Sequence, residues 1–429
     1  MSQDPRETVQ ALRGREGRAL LEEIAGRPPA GRAEPRFVAG LRRRWPADQT
    51  GLALQVAEAR ERAPRKFPAG ERLWFTPSLL EQASAHPPAL HRARRLAPLG
   101  RVLDLGCGAG GDLTRLALAG ARAFGLDRDA LAAALAESNL AELELSGEAR
   151  HGSFPGDDLP AHDVLLVDPA RRSPGRPPAG SARRGRHAWP ERFSPTPSDL
   201  NPLLRRAPAW AVKWGPALDL DHAALAAPGA LLEGLERGDY ELELVSWNGE
   251  LREAVLWGGA ARTGEAVRAT VLSTAGGAPD PFTDQTLAGD PGASPPGPVP
   301  PRAWMVEPDP AIIRAGLLGA FARDHGLALV AEGIAYLTGD EPAPRPLARS
   351  WPLVESFPFS LPRLQAALRR QDAGQIILKK RGFPEDPETL RERICLTGHR
   401  TMTVLIHRVS GGHQVQLCGQ EFATEVVVR

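Results

Sequence analysis

The chain is expected to fold as an α/β protein, with a mostly parallel, doubly wound sheet that ends in an antiparallel hairpin. Three observations carry this expectation. From residue 101 onward, short apolar runs alternate with helical stretches, the punctuation of a sheet built through crossovers. The runs are RVLDL, RAFGLD, DVLLVD, AWAVKW, YELELVSW, ELREAVLW and RATVL. The first enters a glycine-rich turn, RVLDLGCGAGGD, and then a helix-like segment. YELELVSW and ELREAVLW are joined by Asn248-Gly249, the pair that supplies positive φ for a tight hairpin turn.

At 429 residues the chain exceeds one ordinary core, and roughly two to four domains are expected. Residues 1–97 read as helical, with apolar positions at helical spacing in LEEIAGR, FVAGLRRRW and LLEQASAHPPALHRARRL. The α/β block occupies 98–275. Residues 276–302, rich in Pro and Gly, read as a linker. A small unit, 303–345, precedes a terminal α+β unit, 346–429. The terminal unit has helix-like LPRLQAALRRQ and PETLRERIC and strand-like GQIILKK and TMTVLIHRV.

Composition narrows the function classes. Hydrophobic residues make up 42% and charged residues 24%, as in soluble globular proteins. A net charge of +1 means that any anionic partner must be recognised by local clustering. Lysine occurs only at Lys66, Lys213, Lys379 and Lys380, so nearly all positive charge is arginine, whose planar fork suits phosphate. A GC-rich genome would produce the same usage. Cys107, Cys395 and Cys418 are too few and scattered for a disulfide framework or zinc knuckle, which fits a reducing cytoplasm. The start, MSQDPRETVQ, lacks a secretory pattern, and no run approaches the ~20 apolar residues of a membrane span. A cytoplasmic protein with neither metal nor membrane attachment is expected.

The glycine turn lets backbone approach a ligand, and the new helix offers free N–H groups. Gly106, Gly108, Gly110 and Gly111 are compatible with a dinucleotide or with S-adenosylmethionine. Asp104 favours the second, because its carboxylate can receive the methionyl ammonium, where a nicotinamide site usually has an apolar residue. Asp127, at the end of the second strand, suits the two ribose hydroxyls or, alternatively, an N-cap of the next helix. After a third strand, placed near EARHGSF, Ser153 is the positional candidate at the adenine edge.

The fourth strand closes on Asp168-Pro169, where ligands of doubly wound sheets sit. An acid there can orient a nucleophile and accept its proton, although Asp before Pro also simply opens turns. From 171 to 206, nine arginines face two acids, with His187, Trp189 and Phe193 among them. Cations position phosphates and aromatics stack on unpaired bases, while a solvated loop is the bland alternative. Residues 346–429 hold twelve Arg and Lys against eight acids, including Lys379-Lys380-Arg381.

With these residues in view, the chain resembles the bacterial class I S-adenosylmethionine-dependent methyltransferases with a THUMP-like carboxyl-terminal domain. The resemblance begins near Lys66. It rests on RKFPAGERLWFTPSLLEQAS, HRARR, VLDLGCGAGGD, VDPARR, AVKWGPALD, WNGELREAVLW, MVEPDPAIIRAGL, IAYLTGD, ESFPFSLPRLQAAL and ILKKRGF, in order and approximate spacing. It implies a Rossmann-like class I sheet over 98–275, a ferredoxin-like unit over 303–345 and a THUMP-like domain over 346–429. Asp104, Gly106, Gly108, Asp127 and Asp168 would then surround the methyl donor. WFTP and Asn139 also resemble RNA-directed enzymes such as the trimethylguanosine synthases. The resulting expectation is methylation of a base in structured RNA (tRNA or rRNA), with S-adenosylmethionine as cofactor. Asp168 and Pro169 would act at the reaction centre. Arg171, Arg172, Arg183, Arg184, Lys213, Lys379, Lys380 and Arg381 would bind RNA. The rivals are a methyltransferase for a small molecule or protein, and a catalytically silent RNA-binding protein.

Overall fold

Helical periodicity at the amino terminus is realised as seven α-helices with no strand among the described residues before 101. These are α1 (Pro5–Arg13), α2 (Arg15–Ala25), α3 (Pro29–Arg32), α4 (Pro35–Arg42), α5 (Ala47–Arg62), α6 (Pro77–Gln82) and α7 (His86–Leu96). The computed structural model describes residues 4–171, 193–216, 225–227, 230–276 and 278–422. The chain divides into two units. The first comprises Met1–Trp247, Arg252–Gly264 and Leu272–Thr283, and the second comprises Asn248–Leu251, Glu265–Val271 and Asp284–Arg429.

In the first unit, β1 (Arg101–Leu105), α8 (Gly111–Leu118), β2 (Arg122–Asp127), α9 (Ala130–Glu142) and β3 (Gly147–His151) form the expected crossovers. They are followed by β4 (Val164–Val167), the two-residue β5 (Ala170–Arg171) and β6 (Phe193–Ser194), α10 (Pro197–Arg206) and β7 (Ala209–Trp214). The hairpin strands are β8 (Tyr240–Trp247) and β9 (Glu250–Gly259), and Asn248 and Gly249 both take positive φ, 52° and 79°. Seven of these strands lie in the order β3-β2-β1-β4-β7-β9-β8, part of a nine-stranded sheet. β1 pairs in parallel with β2 and β4, β2 with β3, and β4 with β7, while β9 runs antiparallel to β7. Strand order reverses between β1 and β4. Crossover helices leave on opposite faces at such a point and open a crevice at the carboxyl ends of the strands.

Apolar burial explains the layering. Val102, Leu113, Leu116, Val164, Leu166, Val255 and Trp257 belong to one cluster around the sheet. A second cluster joins Leu12, Leu20, Ile24, Val56, Phe67, Trp74 and Phe75 of the helical region to Leu135 of α9. Asn139, also on α9 and 1% exposed, fastens the same contact. Its amide donates to the carbonyls of Trp74 and Ala109, both at 2.9 Å, and its oxygen accepts the Trp74 N–H at 2.7 Å.

The second unit contains a sheet of its own. In chain order the elements after β9 are β10 (Val267–Thr274), β11 (Phe282–Ala288), β12 (Trp304–Pro308), α11 (Pro310–Arg314), α12 (Leu318–Asp324), β13 (Ala328–Leu329), β14 (Leu337–Gly339), β15 (Ala348–Pro358), α13 (Leu361–Arg370), β16 (Ala373–Arg381), α14 (Pro387–Glu392), β17 (Arg400–Val409) and β18 (Gly412–Cys418). The first residues of β10 and the first of β11 fall on either side of the division between units. Seven strands run β13-β14-β12-β15-β18-β17-β16. Its neighbouring strands are antiparallel except β16 with β17. The segments 303–345 and 346–429 thus contribute to one sheet, because the eleven-residue β15 pairs with β12 along its first half and β18 along its second. The 276–302 segment, read as linker, contains β11, whose Thr286 hydroxyl lies 2.8 Å from that of Thr270 in β10. A strand at the end of a sheet needs one neighbour and no apolar face, so its polar sequence concealed it. No helix among the described residues is long and apolar enough to cross a membrane.

Replacing Asn139 by Ala would leave the Trp74 N–H and two carbonyls buried without partners. Each such group costs on the order of 1–3 kcal/mol. The expected outcome is a lower denaturation midpoint, read by urea titration, and an unchanged midpoint would show that the amide is dispensable.

Candidate active site

Asp104 stands near the end of β1, 1% exposed, and one carboxylate oxygen, Oδ2, is buried without a hydrogen-bond partner. Burial pushes its carboxyl well above the usual range, and the Asp112 carboxylate adds to the rise. An orphaned acid of this kind is suited to an arriving cation.

The turn after β1 explains the glycines. Gly108 takes φ 55°, a side chain there would meet nothing within 4 Å, and its N–H donates to Asp127 Oδ2 at 2.8 Å. The other oxygen, Oδ1, accepts the Asp129 N–H at 2.8 Å. Asp129, not Asp127, caps α9, accepting from Leu131 and Ala132. Asp127 is therefore released from capping and left at the end of β2. Burial raises its carboxyl, and the two backbone bonds pull against that rise.

Beside Asp104 lies a buried ion network. Arg92 of α7 is fully buried, donates to Asp112 of α8 through Nε at 3.1 Å, and pairs with Glu253 of β9. Asp112 also accepts from Ser84 Oγ at 3.0 Å and lies 3.4 Å from Lys213 Nζ. Lys213, on β7, donates to Ser84 Oγ at 2.8 Å and pairs with Asp168. Burial works against each charge, but the partners prevail: Asp112 is held below the usual carboxylate range and Lys213 above the usual ammonium range.

These groups border a cleft of about 830 Å³. Asp104, Gly106, Gly108, Asp127 and Gly152 line it, as do Asp168, Pro169, Lys213, Trp214, Trp247 and Arg252. Lys66 supports the rim: its ammonium donates to the carbonyls of Leu80, Glu81 and Ala83 at 2.7, 2.9 and 3.1 Å, closing the end of α6. Ser194 and Pro195 also line the cleft, and β5 pairs Ala170 with Ser194 and Arg171 with Phe193. Arg171 and Phe193, the described residues on either side of 172–192, are thus paired beside the rim of the cleft.

Several expected residues stand elsewhere. Ser153 is exposed, its N–H donates to Asp157 at 2.7 Å, and it is absent from the wall formed by its neighbours Gly152 and Phe154. Residues alternate sides along extended chain, which turns Ser153 away. Gly110 also lies outside the wall; it lets α9 approach, since a Cβ there would come within 3.2 Å of Ala136. Lys213, expected at an RNA surface, is inside the site. Lys379 and Arg381 both pair with Glu307, and Lys380 donates to the Glu385 carbonyl at 2.8 Å. Arg172, Arg183 and Arg184 lie outside the described residues. Sequence reasoning assigned no role to Ser84, Arg92, Asp112, Glu253, Trp247 or Arg252. A signal existed for two of the network's charges: Lys213 and Glu253 interrupt apolar strands, and a charge in a buried run requires a partner.

A reversal of strand order, a glycine turn and acids at the ends of β1, β2 and β4 define a class of nucleoside-cofactor enzyme in which a cationic group is welcome. Seven acidic residues line the cleft against four basic ones, and this excess fits S-adenosylmethionine better than an anionic dinucleotide. Known proteins agree. The chain is 34% identical over 383 residues to an S-adenosylmethionine-dependent methyltransferase of Mycobacterium tuberculosis, in strains CDC 1551 and H37Rv, covering 87% of this chain and 95% of the relative. Residues 348–420 match the THUMP domain-like family. A methyltransferase structure from Porphyromonas gingivalis W83 shares the fold, with TM-score 0.70 at 20% identity over 98% of this chain and 100% of that one. The chain belongs to the S-adenosylmethionine-dependent methyltransferases, and S-adenosylmethionine is its cofactor.

Receipt of a cation by Asp104 has a pH signature. With its pKa raised, Asp104 is protonated below that value and must lose a proton to bind a cation. Donor affinity should therefore rise by up to about tenfold per pH unit until Asp104 ionises, then level off. Calorimetric titration of Asp104→Asn should show weaker binding and a flattened profile. Asp127→Ala should weaken binding by roughly 1.5–3 kcal/mol, the worth of hydrogen bonds to a charged group. A wild-type profile in Asp104→Asn would remove Asp104 from the cation site.

Proposed function

We propose that this methyltransferase modifies a base in structured RNA, tRNA or rRNA, with the carboxyl-terminal THUMP-like domain as an RNA-docking module. One observation carries the reading. The sequence between Asp168-Pro169 and Ser194-Pro195, two pairs of residues in the cleft wall, holds seven arginines and one acid, within a stretch of nine arginines and two acids over 171–206. A polyanion held by that segment brings its bases to the cleft. Arg171, Arg172, Arg183 and Arg184 are assigned to phosphates, the contacts that position nucleic acid without reading it. The THUMP domain-like match at 348–420 supports a docking role for the second unit. Within its basic run, Lys380 is exposed, whereas Lys379 and Arg381 share Glu307.

In the cleft, Asp104 receives the methionyl ammonium, and Asp127 accepts from the ribose hydroxyls with the lone pairs its two backbone bonds leave over. Bound there, the donor supplies an electrophilic methyl group, so the protein needs chiefly to align a nucleophile. Asp168 closes β4 beside Pro169 and faces the cleft with a side chain 38% exposed, the placement of a group that orients the acceptor. Trp214 and Trp247 add apolar surface for a base.

Mass spectrometry of nucleosides from tRNA and rRNA, with and without the gene, tests the reading. One methylated nucleoside should disappear on deletion, and unchanged profiles would leave a small molecule or protein as acceptor. Charge reversal at Arg183, Arg184 and Arg186 should weaken RNA binding and flatten its log–log salt dependence by roughly 0.7–0.9 per lost phosphate contact. An unaltered slope would remove these arginines from the interface.

A further inference from the structure

We propose that the acceptor atom is a neutral amine nitrogen of the base, and that Lys213 is the positioning residue that keeps Asp168 as a hydrogen-bond acceptor for its N–H. The inference rests on the RNA reading above and narrows it to one kind of atom. Three kinds of acceptor make different demands. A ribose hydroxyl needs a base to remove its proton during attack. Carbon 5 of a pyrimidine needs a thiolate to add to the ring and make that carbon nucleophilic. An amine brings its own lone pair and needs alignment, with its proton released afterwards.

Among the described residues, the cleft is poorly equipped for the first two. The whole chain has three cysteines; Cys395 and Cys418 belong to the second unit. Cys107, within the glycine turn, borders the cleft, but it is 6% exposed, its thiol donates to the Gly108 carbonyl at 3.7 Å, and burial pushes that thiol well above the range in which thiolate forms. No histidine belongs to the described wall. Of the other titratable groups near Asp168 among the described residues, Asp104 is assigned to the methionyl ammonium and the rest are already engaged. Asp112 is shared among Arg92, Ser84 and Lys213, and Glu253 is paired with Arg92. Lys213 cannot serve as a neutral base while Asp168 and Asp112 both hold its ammonium.

What remains suits an amine. Lys213 fixes one side of the Asp168 carboxylate, is itself anchored by Ser84 and Asp112, and leaves the exposed side to accept an N–H. The nitrogen lone pair forms the new N–C bond as the methyl carbon–sulfur bond breaks, with that electron pair staying on sulfur. The nitrogen carries the positive charge until it passes a proton through Asp168 to water.

Two readouts test this. The chain has only four lysines, so NMR of lysine labelled at Nζ can follow Lys213, assigned by its loss in Lys213→Arg. Its ammonium should persist beyond the ordinary lysine value of about 10.4 and retreat towards it in Asp168→Asn. A Lys213 amine that is neutral near pH 7 would overturn the proposal by making it a base. Secondly, unfractionated tRNA and rRNA from cells lacking the gene are incubated with methyl-tritiated S-adenosylmethionine and digested. Label in an amine-methylated nucleoside is the expected result. Label in alkali-resistant dinucleotides or in a C5-methylpyrimidine would overturn the proposal and leave the RNA reading standing. Unlabelled RNA, with donor binding intact, would overturn the RNA reading and with it this assignment. On labelled RNA, Lys213→Met should lower kcat ~10²-fold or more, as expected when a reacting group loses its alignment, with KM for RNA little changed. Lys213→Arg should restore most of the loss. Equal loss in both variants would make Lys213 merely structural.

Discussion

The Arg92–Asp112 pair is the contact on which the active site depends. It joins α7, at the end of the helical region, to α8, the first crossover helix, and through Glu253 it reaches β9. Taking such charges out of water is costly, so each is tolerable only with its partners in place, and removing one typically costs on the order of 3–5 kcal/mol. The network is less a source of net stability than a device that allows one arrangement. Lys213 and Asp168 are held in register by the same atoms that hold the helical region against the sheet. Catalytic alignment and folding of the first unit are thus one constraint.

A second fastening works through hydrogen bonds. Asn139 ties Trp74, in the segment before α6, to Ala109 in the glycine turn. The turn also answers to Asp127 through Gly108, while Asp129 takes over the capping of α9. Two neighbouring acids divide the duties that one would otherwise have to combine. The segment carrying Trp74, the turn and the end of β2 are accordingly pre-ordered around the cleft, and pre-ordering reduces the entropy lost on binding.

The second unit uses its charges differently. Lys379 and Arg381 point to one side of β16 and converge on Glu307 of β12, with the Arg381 guanidinium 5.0 Å from the Tyr336 ring and the Lys379 ammonium 5.4 Å from that of Trp351. Lys380, on the opposite side, is exposed. A run of three cations is divided by strand alternation into a half-buried, ion-paired couple and one surface charge. Net charge along a sequence does not reveal that division.

How much was legible depended on the range of the interaction. The positions of β1 to β4 and β7 to β9, the hairpin at Asn248-Gly249 and the glycine turn are local patterns, and they are present in the structure where the sequence places them. The placement of Asp104 and Asp168 at strand ends follows from the same local reading. Ser153 and Gly110 were misplaced because wall membership depends on which way a chain turns after a strand, a matter decided by Asp157 and by the packing of Ala136. The polar edge strand β11 and the union of 303–345 with 346–429 through β15 were hidden because pairing partners lie far apart in sequence. The sequence by itself determined the order of elements and the chemistry available at their ends, since periodicity and turn preference are properties of neighbouring residues. Only the tertiary structure decided which charges became neighbours, because α7, α8, β7 and β9 must pack before Arg92, Asp112, Lys213 and Glu253 can meet.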